Sequence, residues 1–427
     1  MKIAIIGSGI SGLTCAYYLH KDHDIHLFES ADVIGGHTAT VDVEWEGEPY
    51  SIDTGFIVFN DWTYPNFIKL MTEIGVESRP SDMSFGVNCA ETGLQYAGVE
   101  GRVRMFNSLF AQRSTILSPK HIGMLLDIVK FNKHAVADVE SNSIDPQWTL
   151  RDYVQKYSLG EQFARFYLIP MASAIWSTSY KEMESFPMSF MLPFMYRHGL
   201  LSVANRPKWH TIKGGSSAYI PPLVSGFRDK IRLSSKVLGV SRSSDSVRVA
   251  TAESVEQFDQ VIFACHSDQA LALLNEADAI ETEILQAIRY QENEVVLHSD
   301  ISVMPSNRRA WASWNYNLSE GCENDLPMVS YDMNRLMGLK NCPQFLVTLN
   351  SSKELNPALV HREFRYSHPV FTREGVAAQS RWSEINGRNK SWFCGAWWGK
   401  GFHEDGVNSA LRVVEAISQH GALKAAM

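Results

Sequence analysis

The chain has 427 residues, 45% of them hydrophobic and 20% charged, with a formal charge of −8. At roughly 150 residues per domain it has room for two or three domains with large cores, which excludes a disordered chain, a collagen and a disulfide-stapled mini-protein. Lys+Arg 39 against Asp+Glu 47 leaves no basic excess of the kind a general nucleic-acid binder needs.

The first predicted element is a buried strand, Ile3-Ala4-Ile5-Ile6, whose apolar run stops at Gly7 and is too short for a secretory leader. It runs into Gly7-Ser8-Gly9-Ile10-Ser11-Gly12 and then a helical stretch over 13–19. This is GxGxxG between a strand and a helix, the setting in which the motif carries weight. Gly7 permits the tight turn, Gly9 the approach of a pyrophosphate, and Gly12 the packing of helix on sheet. The start of that helix offers free N–H groups and a positive dipole end to phosphate, with Ile10 and Ser11 in the turn before it as further candidate contacts. A second strand, Ile25-His26-Leu27-Phe28, ends in Glu29, 22 residues after Gly7, with Ser30 beside it. A dinucleotide fold keeps its ribose-hydroxyl acceptor there, and an acid at that place disfavours an adenosine 2′-phosphate. Next comes Gly35-Gly36-His37-Thr38, read either as an ordinary loop or as further backbone donors for the same pyrophosphate. The tract Ile52-Asp53-Thr54-Gly55-Phe56-Ile57 follows.

The middle of the chain, about 105–200, has helical periodicity, with Ile122, Leu125, Leu126, Val129 and Val136 on one face. Between 101 and 134 there are six basic residues, Arg102, Arg104, Arg113, Lys120, Lys130 and Lys133, and one acid, Asp127. From 185 to 228 there is no acid at all, and this tract opens with Phe186-Pro187-Met188-Ser189-Phe190-Met191-Leu192-Pro193-Phe194-Met195-Tyr196. Two readings stand: an adaptable Met-rich core segment, or a greasy mouth with a basic collar that lies on an anionic membrane or receives an acyl chain. Strands are predicted within 230–251, 257–265 and 294–349, and a helix over 407–419. Nucleotide-type elements at both ends suggest a discontinuous cofactor domain.

Cys15, Cys89, Cys265, Cys322, Cys342 and Cys394 form no CxxC pair and read as thiols of a reducing, cytoplasmic compartment. No histidine–cysteine set has zinc-site spacing, so no metal is expected, and no stretch approaches the length of a membrane span. No second GxGxxG lies between a strand and a helix, so a separate NADPH domain is not expected. His298 with Asp300, and His403 with Glu404, are the candidate acid–base groups.

In this order of motifs, continued by Trp209-His210-Thr211-Ile212-Lys213-Gly214-Gly215-Ser216 and Trp392-Phe393-Cys394-Gly395-Ala396, the chain resembles the FAD-dependent amine oxidase, protoporphyrinogen oxidase and phytoene desaturase superfamily over essentially its whole length. The resemblance implies an α/β fold with a discontinuous Rossmann-like FAD-binding domain of the glutathione reductase type (1–85, 205–290 and 385–427). Inserted in it would be an α+β substrate domain (86–204 and 291–384) with a helical part and a mixed or antiparallel sheet. FAD is the implied cofactor. Its ADP half would lie on the first motif and Glu29, its pyrophosphate and ribityl on Gly36, His37 and Thr38, where the family usually has arginine in place of His37. Gly55, Phe56 and Ile57 would approach the isoalloxazine, and Val237 would present its backbone to the adenine. Gly395, Asp405, Gly406 and Val407 would close over the flavin, with a helix starting near Gly406-Val407 aimed at it. Amine oxidases carry an acid where this chain has Ala396, which weakens the amine oxidase reading. Trp397, Trp398 and Phe402, with Trp311 and Trp314 behind them, are the expected substrate face.

More narrowly, His198-Gly199-Leu200-Leu201, Arg206-Pro207-Lys208-Trp209 and Ala310-Trp311-Ala312-Ser313-Trp314-Asn315-Tyr316 resemble a bacterial subgroup encoded beside cyclopropane-fatty-acid-synthase-like methyltransferases. That implies dehydrogenation of a lipophilic substrate, an acyl chain or phospholipid acyl group. A double-bond isomerase, an amine oxidase producing peroxide and a flavin-binding scaffold for a methyltransferase partner remain open. So does peripheral attachment to the inner face of the membrane.

Overall fold

Five short parallel strands carry the nucleotide motif: β1 (Lys2–Ile6), β2 (Asp24–Phe28), β3 (Ile231–Arg232), β4 (Gln260–Phe263) and β5 (Ser391–Phe393). Their spatial order is β3-β2-β1-β4-β5. The two central strands carry continuous apolar runs, Ile3–Ile6 and Val261–Phe263, because both faces of the sheet are covered there. Ile3, Ile5, Leu27 and Ile262 pack on one side with α1 (Ile10–Leu19) and the C-terminal helix (His403–Ala425). Ala4, Ile6, Phe28, Val261 and Phe263 pack on the other with an antiparallel sheet of Val237–Arg242, Val247–Thr251 and Val255–Phe258. The computed structural model describes residues 1–202, 205–319, 321 and 325–425, with side chains to 419; Cys322 lies outside the described residues.

A second, seven-stranded sheet runs in the order Val360–Val370, Arg289–His298, Leu346–Leu349, Met328–Asp332, Trp314–Leu318, Phe85–Cys89, Gln95–Gly98. It is antiparallel except where Trp314–Leu318 pairs with Phe85–Cys89. Against it lie α2 (Arg102–Leu109), α3 (Pro119–Glu140) and α4 (Met188–Arg197). Val87, Leu297, Tyr316 and Val347 from the sheet share one core with Met124, Phe131, Met191 and Leu192 from the helices. Among the described residues no helix is long and apolar enough to cross a membrane.

One open question closes here and one expectation changes. Of the two readings of the tract 186–196 the core segment holds and the open mouth does not: Phe186, Met188, Phe190, Met191, Leu192, Phe194 and Met195 are all buried, in α4 and just before it. The C-terminal helix begins at His403 rather than at Gly406. Asp405 accepts the Phe402 N–H at 3.0 Å and closes the turn before the helix. Gly406 is then not a helix start but a contact point, since a Cβ there would meet Ile10 Cγ2 at 2.8 Å and Ser11 Oγ at 2.9 Å on α1.

Candidate active site

One cavity of about 800 Å³ runs from the glycine turn after β1 to the core of the seven-stranded sheet. At its near end the turn is built as the motif demands. Gly7 has φ +104°, a region that favours glycine, and a Cβ on Gly12 would sit 2.0 Å from the Gly7 carbonyl oxygen. Those two glycines are explained by the protein's own sterics. Gly9 is not, because its φ is −66° and a Cβ there would find nothing within 4 Å. The space in front of Gly9 is kept for something that the chain does not supply.

The surrounding groups fit a pyrophosphate and its ribose. Glu29 accepts the Ser8 N–H at 2.9 Å and the Ser8 hydroxyl at 2.6 Å on one oxygen, and the Ala31 N–H at 2.9 Å on the other. The Gly35-Gly36 pair is more than a loop: Gly35 bridges Gly9, donates its N–H to Ser8 Oγ at 3.2 Å, and Gly36 has φ +59°. A Cβ on Gly36 would stand 3.2 Å from Gly9 Cα, so both backbones converge on one space. His37 faces it with a buried Nε2 that has no partner. Its ring centroid lies 6.1 Å from that of His266 and 5.7 Å from that of His368. Burial, then the neighbouring imidazoles, push His37 down to about 3. An added anion would reverse the second effect.

Behind this end sits a rigid frame. Thr38 shares hydrogen bonds with the Tyr219 hydroxyl and, at 3.1 Å, with His403 Nε2. His403 stacks on Phe56 at 3.6 Å, and burial holds it near 3. Gly55 is required because a Cβ would sit 2.2 Å from the His37 carbonyl oxygen, which also accepts the Phe56 N–H at 2.8 Å. Asp53 joins this stretch to the second glycine tract: it accepts the Ser216 N–H at 2.7 Å and the Thr40 hydroxyl at 2.7 Å.

The far end is apolar. Met83, Leu109, Ile128, Met171, Trp314 and Val347 line it. Among the described lining residues Glu29, at the nucleotide end, is the one carboxylate. Lys400 sits in the wall, donating to the Phe190 carbonyl at 3.1 Å and lying 4.0 Å from the Phe190 ring; burial pushes its ammonium down to about 8.

Of the residues expected from sequence, Gly7, Gly9, Ile10, Ser11, Glu29, Ser30, Gly36, His37, Gly55, Phe56, Ile57, Gly395, Trp397, Phe402 and His403 line the cavity, and Trp314 joins them. Gly12, Thr38, Asp405, Gly406 and Val407 stand behind the lining, holding it from the second layer. Val237 also lies outside, although Ser235 just before it donates to the Glu29 carbonyl at 2.8 Å. Trp398 stacks on Trp397 at 4.4 Å and donates to the Phe393 carbonyl, so it packs rather than lines. His298 is away from the cavity in the second sheet, fully buried and bonded to Thr348 Oγ1 at 2.7 Å. Trp311 likewise donates to the Pro305 carbonyl in a separate small core.

Sequence reasoning missed the strand Val360–Val370, which brings Arg365, Tyr366, Ser367, His368 and Pro369 to the lining. Its signal was the period-two run Phe364, Tyr366, His368. His198, at the head of the tract 198–201, and Lys400, between Trp398 and Phe402, also line the cavity and were not expected there. Among the described residues no group of histidine, cysteine or carboxylate side chains could hold a metal ion.

Comparison with known proteins agrees with this geometry. The model of the flavin containing amine oxidoreductase family matches residues 10–297. A segment of 80 residues is 39% identical to the 15-cis-phytoene desaturase of Synechococcus elongatus, covering 18% of this chain and only 16% of that protein. The fold is that of the CLA-producing fatty acid isomerase from P. acnes, with a TM-score of 0.66 at 13% identity over 98% of each chain. It is equally that of cyclohexylamine oxidase from Brevibacterium oxydans IH-35A, with a TM-score of 0.65 at 16% identity over 98% of this chain and 99% of that one. The chain belongs to the flavin containing amine oxidoreductase family, and it is an FAD-dependent oxidoreductase. The open space at Gly9 and the unpartnered His37 Nε2 fit that cofactor.

Proposed function

We propose that the enzyme removes hydride from a C–H bond of an acyl chain, with Gly9, Glu29, Gly36 and His37 holding the ADP half of FAD. When bound, FAD supplies the hydride acceptor. The chain's own part is to place the substrate and to keep water out. The observation that carries this reading is the composition of the wall: mostly apolar beyond Phe56, with cations at Arg206 and Lys400 and no carboxylate there. An ammonium substrate would find no acid to meet it, whereas a hydrocarbon chain loses nothing on leaving water. Lys400 is the partner for an anionic head group, and Phe194 and Phe402 in the lining flank the acyl chain.

Removal of two hydrogens yields one new double bond, with hydride passing to the cofactor and a proton to a base or to water. The test is mass spectrometry of lipids after turnover by the FAD-loaded enzyme. Loss of two hydrogens from an acyl chain supports the reading. A shifted double bond at unchanged mass would instead make this an isomerase, the activity named for the P. acnes structural relative. Peroxide formed from amines and not from lipids would overturn it.

A further inference from the structure

Half of the exposed large apolar side chains sit in one short stretch. Among the described residues fourteen are exposed, and seven of them lie between 103 and 129: Val103, Phe106, Ile116, Leu117, Ile122, Leu126 and Val129. Leu117 is 87% exposed, Val103 75% and Leu126 65%. They belong to α2, to the 3₁₀ turn Arg113–Leu117 and to α3. On α3 the positions 122, 126 and 129 form an outward stripe, while Met124, Phe131 and Ala135 face the core. The helix is therefore apolar on both sides, which a helix that ends at water has no reason to be.

The charged groups of the tract 101–134 are basic but for one. Arg102, Arg104, Arg113, Lys120, Lys130 and Lys133 are all exposed. Arg104, 3.5 Å from Asp82, is the one of the six with a carboxylate partner among the described residues. The single acid of the stretch, Asp127, is turned to the Gly160 N–H at 2.9 Å. The same two helices also form part of the cavity wall: Leu109 on α2 and Ile128 on α3 line its apolar end. One side of this pair faces the cavity and the other faces outward.

We propose that α2, the turn after it and α3 form a docking surface for an anionic phospholipid leaflet, through which acyl substrate reaches the cavity past Leu109 and Ile128. The docking surface rests on exposure and charge; the delivery rests on the acyl-chain reading above. Apolar side chains enter the head-group and acyl boundary, and the basic rim meets lipid phosphates. This is not the tract expected from sequence, which is buried.

The test is flotation of the FAD-loaded, full-length protein with vesicles of phosphatidylglycerol and phosphatidylcholine, and with phosphatidylcholine alone, at low and high salt. Binding to the anionic vesicles, weakened by salt, is expected. Leu117→Glu and Leu126→Glu together should reduce it by about tenfold or more, with the flavin spectrum unchanged because both side chains are exposed. Alongside, the variant and the parent are given an acyl substrate dispersed in detergent, where no docking is needed. Equal turnover there, with lost turnover on vesicles, supports the proposal. No flotation of the parent overturns the docking surface even if detergent-dispersed lipid is turned over. Flotation without any lipid turnover keeps the surface and removes the acyl reading. A dimer of the parent that the double variant dissolves, with no vesicle binding, assigns the patch to a second copy and overturns it as well.

Discussion

Gly9 is the position at which the cofactor's place can be tested with one atom group. Its neighbours Gly7 and Gly12 are fixed by contacts within the protein, so changing them damages the fold and the site together. At Gly9 a side chain finds open space and an ordinary φ. Gly9→Val should therefore fold, with circular dichroism unchanged, yet emerge colourless, with FAD affinity down by on the order of 100-fold; retained yellow colour would place the pyrophosphate elsewhere. Lys400 tests the other end. Its ammonium, lowered to about 8, is charged at neutral pH and loses its charge above that value. KM for acyl substrates with anionic heads should rise as pH passes 8, and Lys400→Met should raise it about tenfold at pH 7, while neutral esters change little. An equal effect on both substrate types would assign Lys400 to packing alone.

Between elements, the contact that matters most is the crossing of α1 and the C-terminal helix. Ser11 donates its hydroxyl to the Gly406 carbonyl at 3.0 Å, and the two helix N-termini meet beside the cavity. Gly406→Leu would push Ile10 and Ser11 away, at a cost of roughly 1–3 kcal/mol for overpacking. A lower melting temperature and weaker FAD binding should appear together; lower stability with unchanged FAD affinity would separate the crossing from the site. This crossing also marks where sequence reading works and where it stops. The phosphate end was legible because a strand, a turn, a helix and an acid within 29 residues must stand in fixed register for the chemistry. The role of Gly406 was not, since a glycine that admits a neighbouring helix looks like one that begins its own. The stripe on α3 carries a related ambiguity: with apolar residues on both sides, periodicity alone does not say which side is core. Val360–Val370 was hidden by its three charged residues, Arg362, Glu363 and Arg365, and by Pro369, tolerated because this strand is the edge of its sheet.

At the scale of the whole molecule, the apolar chamber gathers residues as distant as Met83, Met171, Trp314 and Val347, whose shared property is visible only after folding. The same burial gives the protein a strong response to acid. His37 and His403 are held near 3, and His198, His298 and His368 near 4, all below the usual 6.5. Below about 6.5 the unfolded chain takes up protons that the folded chain refuses, so stability is full above that pH and is lost as pH falls. Asp53 and Asp405, each raised to about 6, act in the opposite sense but are fewer. Each histidine contributes at most about 1.4 kcal/mol per pH unit. The melting temperature of the FAD-free protein should fall steadily from pH 7 to pH 5; a flat or rising profile would mean that these imidazoles are not buried as described.

The central claim is that one cavity joins an FAD site to a chamber for hydrocarbon, and the visible spectrum of the anaerobic protein tests it most directly. Titration with phospholipids carrying unsaturated and methyl-branched acyl chains should bleach the oxidised-flavin band in proportion to lipid added, and polyamines should leave it unchanged. Bleaching by amines with no response to any lipid, or a colourless protein whose band FAD does not restore, would contradict it.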